Sequence, residues 1–289
     1  MYKGLSDESF RILAALNSLT LKYEYVPLEE IERTTKLTPS RIIKSLRELI
    51  DVKAVVKHRT TQSFRLTYLG LDLVALKKLS DSGVLGYLGT RVGVGKESEI
   101  YIAKTPAEKI VAVKFYKIGR VSFQKIKRVR TYALDESRWF MHSRNAASRE
   151  YEVLSKLSNY TSFVPRVYAH VEHSVVMDYV DGIELYRYKT ALMPENILRS
   201  IMTALRSAYV HLGIVHGDLS EYNILVSVGE GEKPYIIDWP QYVYRDEPGA
   251  EKLLFRDVSY MVKFFKENYG LEKKVGDCLE FVKGLRDEF

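Results

Sequence analysis

His216-Gly217-Asp218-Leu219-Ser220-Glu221-Tyr222-Asn223, followed shortly by Tyr235-Ile236-Ile237-Asp238-Trp239-Pro240, is the pair of segments on which the reading of this 289-residue chain turns. The first puts an aspartate and an asparagine in one loop. The second sets a carboxylate at the end of an apolar, strand-like run, where burial is costly unless a metal or a hydrogen-bond donor meets it. Taken singly they are an Asx turn and a strand-end acid. What precedes them in the chain gives them another meaning.

Upstream, Gly93-Val94-Gly95-Lys96-Glu97-Ser98 leads into the strand-like Glu99-Ile100-Tyr101-Ile102. Two glycines let a backbone approach a phosphate, and Lys96 and Ser98 add side-chain donors on either side of Glu97. A surface hairpin turn has the same appearance. It is not a Walker loop, because Glu97 rather than Ser or Thr follows Lys96 and a strand rather than a helix comes next. Then comes Val111-Ala112-Val113-Lys114-Phe115, which in isolation is an edge strand with its charge in water. Phosphoryl transfer from ATP needs positioned charge: a loop over the phosphates, a lysine on them, amide and carboxylate ligands for a metal, and a carboxylate near the nucleophile. All of these parts stand here in the order protein kinases use, and the loop at 216–223 resembles the kinase catalytic loop. That resemblance implies that Lys114 holds the α/β-phosphates with Glu150 as its ion-pair partner. It also implies that Asp218 orients or deprotonates the nucleophile and that Asn223 and Asp238 hold Mg²⁺. Strands around 100–103 and 110–115, a helix over about 144–157, a strand pair near 167–169 and 175–178, and mostly helix thereafter make a β-rich half followed by an α-rich half.

The N-terminal part reads as a separate module. Ser6 or Asp7 caps a helix with Phe10, Leu13, Ala14 and Leu16 on its apolar face. Pro27 and Leu28 open a short helix through Ile31. Thr38-Pro39 starts a third, with Ile42, Ile43, Leu46, Leu49 and Ile50 inward. Strand-like runs at 52–57 and 63–68, joined by His58-Arg59-Thr60-Thr61-Gln62, precede a helix over about 69–79. This is a winged helix-turn-helix pattern. It presents Ser40, Arg41, Lys44 and Arg47 on the recognition helix, and His58 and Arg59 in the wing, to nucleic acid. Asp81-Ser82-Gly83 is the linker. The expected architecture is α+β: a winged helix over 1–82, then a bilobal kinase-like domain over 83–289, its small lobe about 83–177 and its large lobe about 181–289.

Composition bounds the rest. Apolar residues make up 46% of the chain, enough for a packed core, and Cys278 is the only cysteine, which excludes an internal disulfide and a cysteine-cluster metal site. No run approaches the ~18–20 apolar residues that span a bilayer, and the N-terminus lacks a signal-peptide core. No membrane partner and a reducing cytoplasm are expected. A net charge of +7 permits an anionic partner.

Three departures from ordinary protein kinases narrow the match. Gly217 stands where an arginine would grip a phosphorylated activation loop, Pro240 replaces a glycine, and only a short stretch separates Asp238 from Phe255-Arg256-Asp257-Val258. His-Gly-Asp-Leu-Ser, Ile-Asp-aromatic-Pro-Gln through Gln241, and Ser98 in place of a third glycine resemble the RIO family of atypical kinases. The winged helix points to its type-two subfamily, and the short C-terminus, after a helix at 271–285, to archaeal members. The resemblance implies an atypical Ser/Thr kinase and ATPase using ATP with Mg²⁺ or Mn²⁺ in small-ribosomal-subunit maturation. Its partners would be the pre-small-subunit particle and its rRNA, met by the winged helix and the basic loop 117–130. Adenine would lie against Met177-Asp178-Tyr179-Val180, through backbone groups of Asp178 and Val180, and Ser122 would be autophosphorylated. Two alternatives compete. One is a small-molecule kinase of the aminoglycoside or choline type, which shares the His-Gly-Asp-x-x-x-x-Asn loop. The other is a nucleic-acid-binding protein on a degenerate kinase scaffold.

Overall fold

The computed structural model describes residues 4–119 and 136–289. Ser122 and, from the basic run, Arg120, Lys125, Lys127, Arg128 and Arg130 lie outside the described residues. By internal packing the chain divides into two compact units, Met1–Ser148 with Ala169–Val176, and Arg149–Tyr168 with Met177–Phe289.

In the first unit, α1 (Asp7–Leu19), β1 (Val26–Pro27), α2 (Leu28–Thr35), α3 (Pro39–Asp51), β2 (Val55–Lys57), β3 (Ser63–Leu66) and α4 (Tyr68–Asp81) form the winged helix. Its strands pair antiparallel in the order β1-β3-β2. Ser6 caps α1 by accepting the Ser9 N–H, and Pro39 occupies the first turn of α3. The core gathers Ile12, Leu13, Leu16, Ile42, Leu46, Leu49, Phe64, Leu66 and Leu71. On α1, Ile12 and Ala15 are buried where Ala14 was expected, and Ala14 faces out while Phe10 is only partly covered. Ile43, expected inward, is 44% exposed. In both helices the buried stripe is rotated by one residue, because the sheet packs against one flank and the inward arc is narrower than the apolar arc.

Helix α4 does more than close this module. Leu71, Leu73 and Val74 enter the winged-helix core, while Ala75 and Leu79 belong to a second core with Val111, Val113, Phe115 and Val176. Six consecutive residues of α4, Gly70–Ala75, are buried, as in a helix covered on more than one side. That second core underlies a five-stranded sheet in the order β4-β5-β6-β8-β7, formed by β4 (Tyr87–Val94), β5 (Ser98–Lys104), β6 (Ile110–Tyr116), β7 (Val167–Val171) and β8 (Ser174–Asp178). α5 (Glu136–Leu157) is longer than its apolar periodicity indicates.

The second unit contains α6 (Pro194–Ser207), a π-helical turn at Ala208–Leu212, α7 (Ala250–Tyr269) and α8 (Val275–Val282). It also holds β12 (Lys233–Ile236), the apolar strand expected before Asp238, and four short strands that the sequence reading left out: β9 (Ile183–Glu184), β10 (Ile214–Val215), β11 (Ile224–Ser227) and β13 (Val243–Tyr244). They pair as β12-β11-β9 and β10-β13 and bracket the two motif loops. Runs of two to four residues are too short for a period to register. Among the described residues no helix is long and apolar enough to cross a membrane.

Candidate active site

Within the second unit, residues 216–223 run from β10 to β11 and residues 237–242 run from β12 to β13. The antiparallel β11/β12 pair, Ile224 opposite Ile236, sets these two loops side by side. Ile237 N–H donates to the Asn223 carbonyl at 2.9 Å and continues the ladder into the loops.

His216 is buried and lies against the Trp239 ring, centroids 4.5 Å apart. Its Nδ1 accepts the Asp218 N–H at 3.3 Å, so the neutral ring carries its proton on Nε2, which faces the Ile237 carbonyl at 3.3 Å. Burial pushes its pKa below the ordinary 6.5, outweighing the opposing pull of Asp257. Gly217 has φ +80°, and a Cβ there would come within 2.9 Å of the Gln241 carbonyl oxygen. Glycine is required here on both counts, and the arginine of ordinary kinases does not fit this backbone.

The loop is tethered from α7. Asp257, 1% exposed, accepts the Gly217 N–H at 2.8 Å and the Leu219 N–H at 3.3 Å, and Arg256 reaches both the Asp257 carboxylate and the Gly217 carbonyl. With its backbone fixed, Asp218 leaves its side chain exposed. Asn223 Nδ2 donates to the Asp218 carbonyl at 2.8 Å, which points its amide oxygen the other way. Asp238 is half-buried with φ +67°, a left-handed conformation that costs about 1–3 kcal/mol and needs firm neighbours. Those neighbours are present. Trp239 N–H donates to Glu150 Oε1 at 3.3 Å, and Trp239 Nε1 donates to the Ile236 carbonyl at 3.1 Å. Arg149 donates to the carbonyls of Pro240 (2.8 Å) and Tyr242 and lies over the Tyr242 ring. Consecutive residues of α5 thus hold the segment after Asp238.

Met177 is buried at the end of β8. The Asp178 N–H donates to the Arg166 carbonyl at 2.8 Å, and its carboxylate accepts from the Arg166 N–H and the Tyr168 hydroxyl. Of the Asp178 backbone groups, the N–H is therefore committed inside the protein; Val180 is half-buried.

In the first unit, the turn between β4 and β5 closes with Gly95 N–H to the Ser98 carbonyl at 2.9 Å, and Lys96 and Glu97 are exposed. Lys114 lies on β6, an interior strand, and is 5% exposed with its Nζ 4.7 Å from the centre of the Tyr116 ring. The edge-strand reading of this lysine is thereby excluded. Arg41, Lys44 and Arg47 are exposed on one face of α3, and Arg59 is exposed in the β2–β3 wing. His58 is instead half-buried, edge-on to Tyr25 at 4.9 Å. Lys117 is a correction to the basic-loop reading. Its side chain is buried between Asp72 and Glu99, each at 2.7 Å, so it is not offered to RNA.

Sequence reasoning missed Asp257 and Arg149. Asp257 had a signal, since it falls within the apolar stripe Leu254, Val258 and Met261 of α7, where an acid must accept hydrogen bonds. Arg149 had none; its partners are backbone carbonyls.

A winged-helix module followed in the chain by a loop that resembles the kinase catalytic loop, with the Asp238 loop paired beside it, fits a nucleotide-dependent phosphotransferase of the protein-kinase-like class. Comparison with known proteins narrows this. The RIO domain model matches residues 99–277 and the "Rio2, N-terminal" model matches residues 2–82. The serine/threonine-protein kinase rio2 of Schizosaccharomyces pombe is 32% identical over 92% of this chain and 77% of that protein. The RIO-type serine/threonine-protein kinase Rio2 of Methanocaldococcus jannaschii is 33% identical over 87% of this chain and 93% of that protein. A solved Chaetomium thermophilum Rio2 kinase in an ADP/Mg²⁺-phosphoaspartate complex superposes with a TM-score of 0.84 at 28% identity, covering 98% of this chain and 88% of that one. The chain belongs to the RIO family of atypical kinases, on its Rio2 branch. ATP and Mg²⁺ are that family's nucleotide and metal, and the small-molecule-kinase alternative is set aside.

Proposed function

We propose that this chain is a serine/threonine kinase and ATPase of small-ribosomal-subunit maturation, acting in the cytoplasm. Its nucleic-acid-binding module would be residues 1–82 and its catalytic domain 83–289. The observation that carries the catalytic part is the pairing of an exposed Asp218 on a locked backbone with Asp238 on a strained, firmly braced one. In this reading Lys96, Ser98 and the Gly93 and Gly95 backbone receive phosphate oxygens, with Glu97 in the same turn, and Lys114 neutralises phosphate charge.

The residues fit Mg²⁺. Among the described residues no cluster of three or more His, Cys, Asp or Glu side chains could hold a metal unaided. Asn223 and Asp238 offer two hard oxygens, and Mg²⁺ is commonly held by one or two such groups together with substrate phosphates. When bound, the ion withdraws negative charge from the transferring phosphoryl group. Asp218, exposed beside Asn223, accepts the proton of an incoming hydroxyl or water.

Asp238 has a second role in this proposal. A carboxylate oxygen of Asp238 attacks the γ-phosphorus, the bond to the β,γ-bridging oxygen breaks, and ADP leaves; water then cleaves the acyl phosphate to regenerate the acid. The phosphoaspartate of the Chaetomium thermophilum relative supports this reading. The test is incubation with γ-labelled ATP, an acid quench and hydroxylamine, which releases acyl phosphate and spares phosphoserine. Hydroxylamine-labile label that disappears in Asp238→Asn is the expected result. Label wholly resistant and mapped to Ser122 or another hydroxyl would contradict the aspartyl step. For rRNA, support comes from the basic face of α3 and the exposed Arg59.

A further inference from the structure

The side chain of Lys117 sits directly after β6, three residues beyond Lys114. Its Nζ lies 2.7 Å from Asp72 Oδ2 and 2.7 Å from Glu99 Oε2, and its backbone N–H donates to the Glu97 carbonyl, within the glycine turn, at 2.6 Å. Asp72 belongs to α4, the last helix of the winged-helix module. One turn earlier on the same face of α4, Tyr68 donates its hydroxyl to the Ile118 carbonyl at 2.7 Å. The Ile118 N–H donates to Ser143 Oγ at 3.0 Å, and that oxygen is 2.9 Å from the Tyr68 hydroxyl. One face of α4 therefore grips residues 117 and 118, and residue 117 grips the turn.

Both carboxylates also accept from donors other than the lysine. Asp72 Oδ1 accepts from His173 Nε2 at 2.8 Å, and Glu99 Oε1 accepts from Arg91 at 3.1 Å. Burial disfavours the Lys117 ammonium, but Asp72 and Glu99 outweigh it and raise its pKa, so the lysine stays charged. A buried ion pair of this kind adds little net stability over a well-packed apolar replacement. Stability alone thus does not account for it, whereas a fixed position for the turn does.

We propose that Tyr68, Asp72 and Lys117 are positioning residues for nucleotide binding: through α4, the winged-helix module sets the conformation of the glycine turn and of the strand end beyond Lys114. The proposal rests on the reading of Gly93–Ser98 as the phosphate-binding turn. Its consequence is that the winged helix contributes to ATP affinity without touching the nucleotide.

The experiment is steady-state ATP turnover of the full chain, with a thermal melt of each variant. Asp72→Asn keeps an oxygen for His173 and removes one of the two negative charges facing Lys117. The expected KM for ATP rises about fivefold or more, with kcat within about twofold. Glu172→Gln is the control. It weakens a separate cluster in which Glu172 receives Lys78, Arg144 and Asn17, so it lowers Tm and leaves KM unmoved. An Asp72→Asn variant that loses Tm as Glu172→Gln does, with KM unmoved, overturns the proposal. Should Asp72→Asn not fold, Tyr68→Phe, which removes only the hydroxyl, carries the same expectation. A Lys96→Ala arm separates the two levels. If Lys96→Ala raises KM and Asp72→Asn does not, the proposal alone fails. If Lys96→Ala leaves KM unmoved, the phosphate-turn reading falls and takes the proposal with it.

Discussion

At the scale of single residues, the site is built from positions that would be poor choices anywhere else. Asp238 adopts a left-handed backbone, Gly217 leaves no room for a Cβ, and His216 is buried with its ring nitrogens committed. His216 offers a measurable signature. Its folded pKa lies below 6.5 because burial penalises the charged ring, so between the two values the unfolded state binds more protons. Stability from this group is full above pH 6.5 and falls as pH drops towards the folded value. Thermal melts from pH 7.5 to 5 should show a steeper loss in the wild type than in His216→Gln; parallel curves would mean the ring is not buried neutral. The candidate residues Asp218, Asn223 and Asp238 stand out because spacing and type alone carry their signal, and the β11/β12 pair sets their two loops side by side. Asp257 was not singled out: its place in the apolar stripe of α7 marks a buried acceptor, but the two backbone N–H groups it accepts from leave no mark in a sequence.

At the scale of elements, periodicity recovered the long helices and the order of the module, and it failed where an element serves two neighbours or is very short. Helix α4 looked like a terminal closing helix; the buried run over its first half is explained by two cores meeting on it. Lys117 looked like the start of a solvated basic run, because nothing local in the sequence announces Asp72, far away in the chain, as its partner. The recognition helix is better behaved. Arg41, Lys44 and Arg47 are exposed along α3, although Arg41 already lies 3.6 Å from Glu8. If these three and Arg59 each neutralise a phosphate, log affinity of the full chain for RNA or DNA should fall with log salt with a slope of about −3. Lys44→Ala should flatten the slope by about 1. Binding indifferent to salt would turn the module into a protein-docking surface.

At the scale of the whole molecule, the family assignment and the geometry support each other without being the same argument. Family membership makes the chain an atypical kinase. In the second unit Asp257, Arg149 and His216 hold the two loops, Asp218 and Asn223 lie on the held backbone, and Asp238 sits where the loops are braced. The central claim is that Asp238 is the indispensable carboxylate of phosphoryl transfer. It is tested most directly by Mg²⁺-dependent ATP turnover of Asp238→Asn against wild type, at matched folded fraction. Asparagine is close in shape, so the fold should persist. Replacing an ionised oxygen at the transferring phosphoryl group should cost at least about 100-fold in kcat. Turnover within a few-fold of wild type by a folded Asp238→Asn protein would contradict the account.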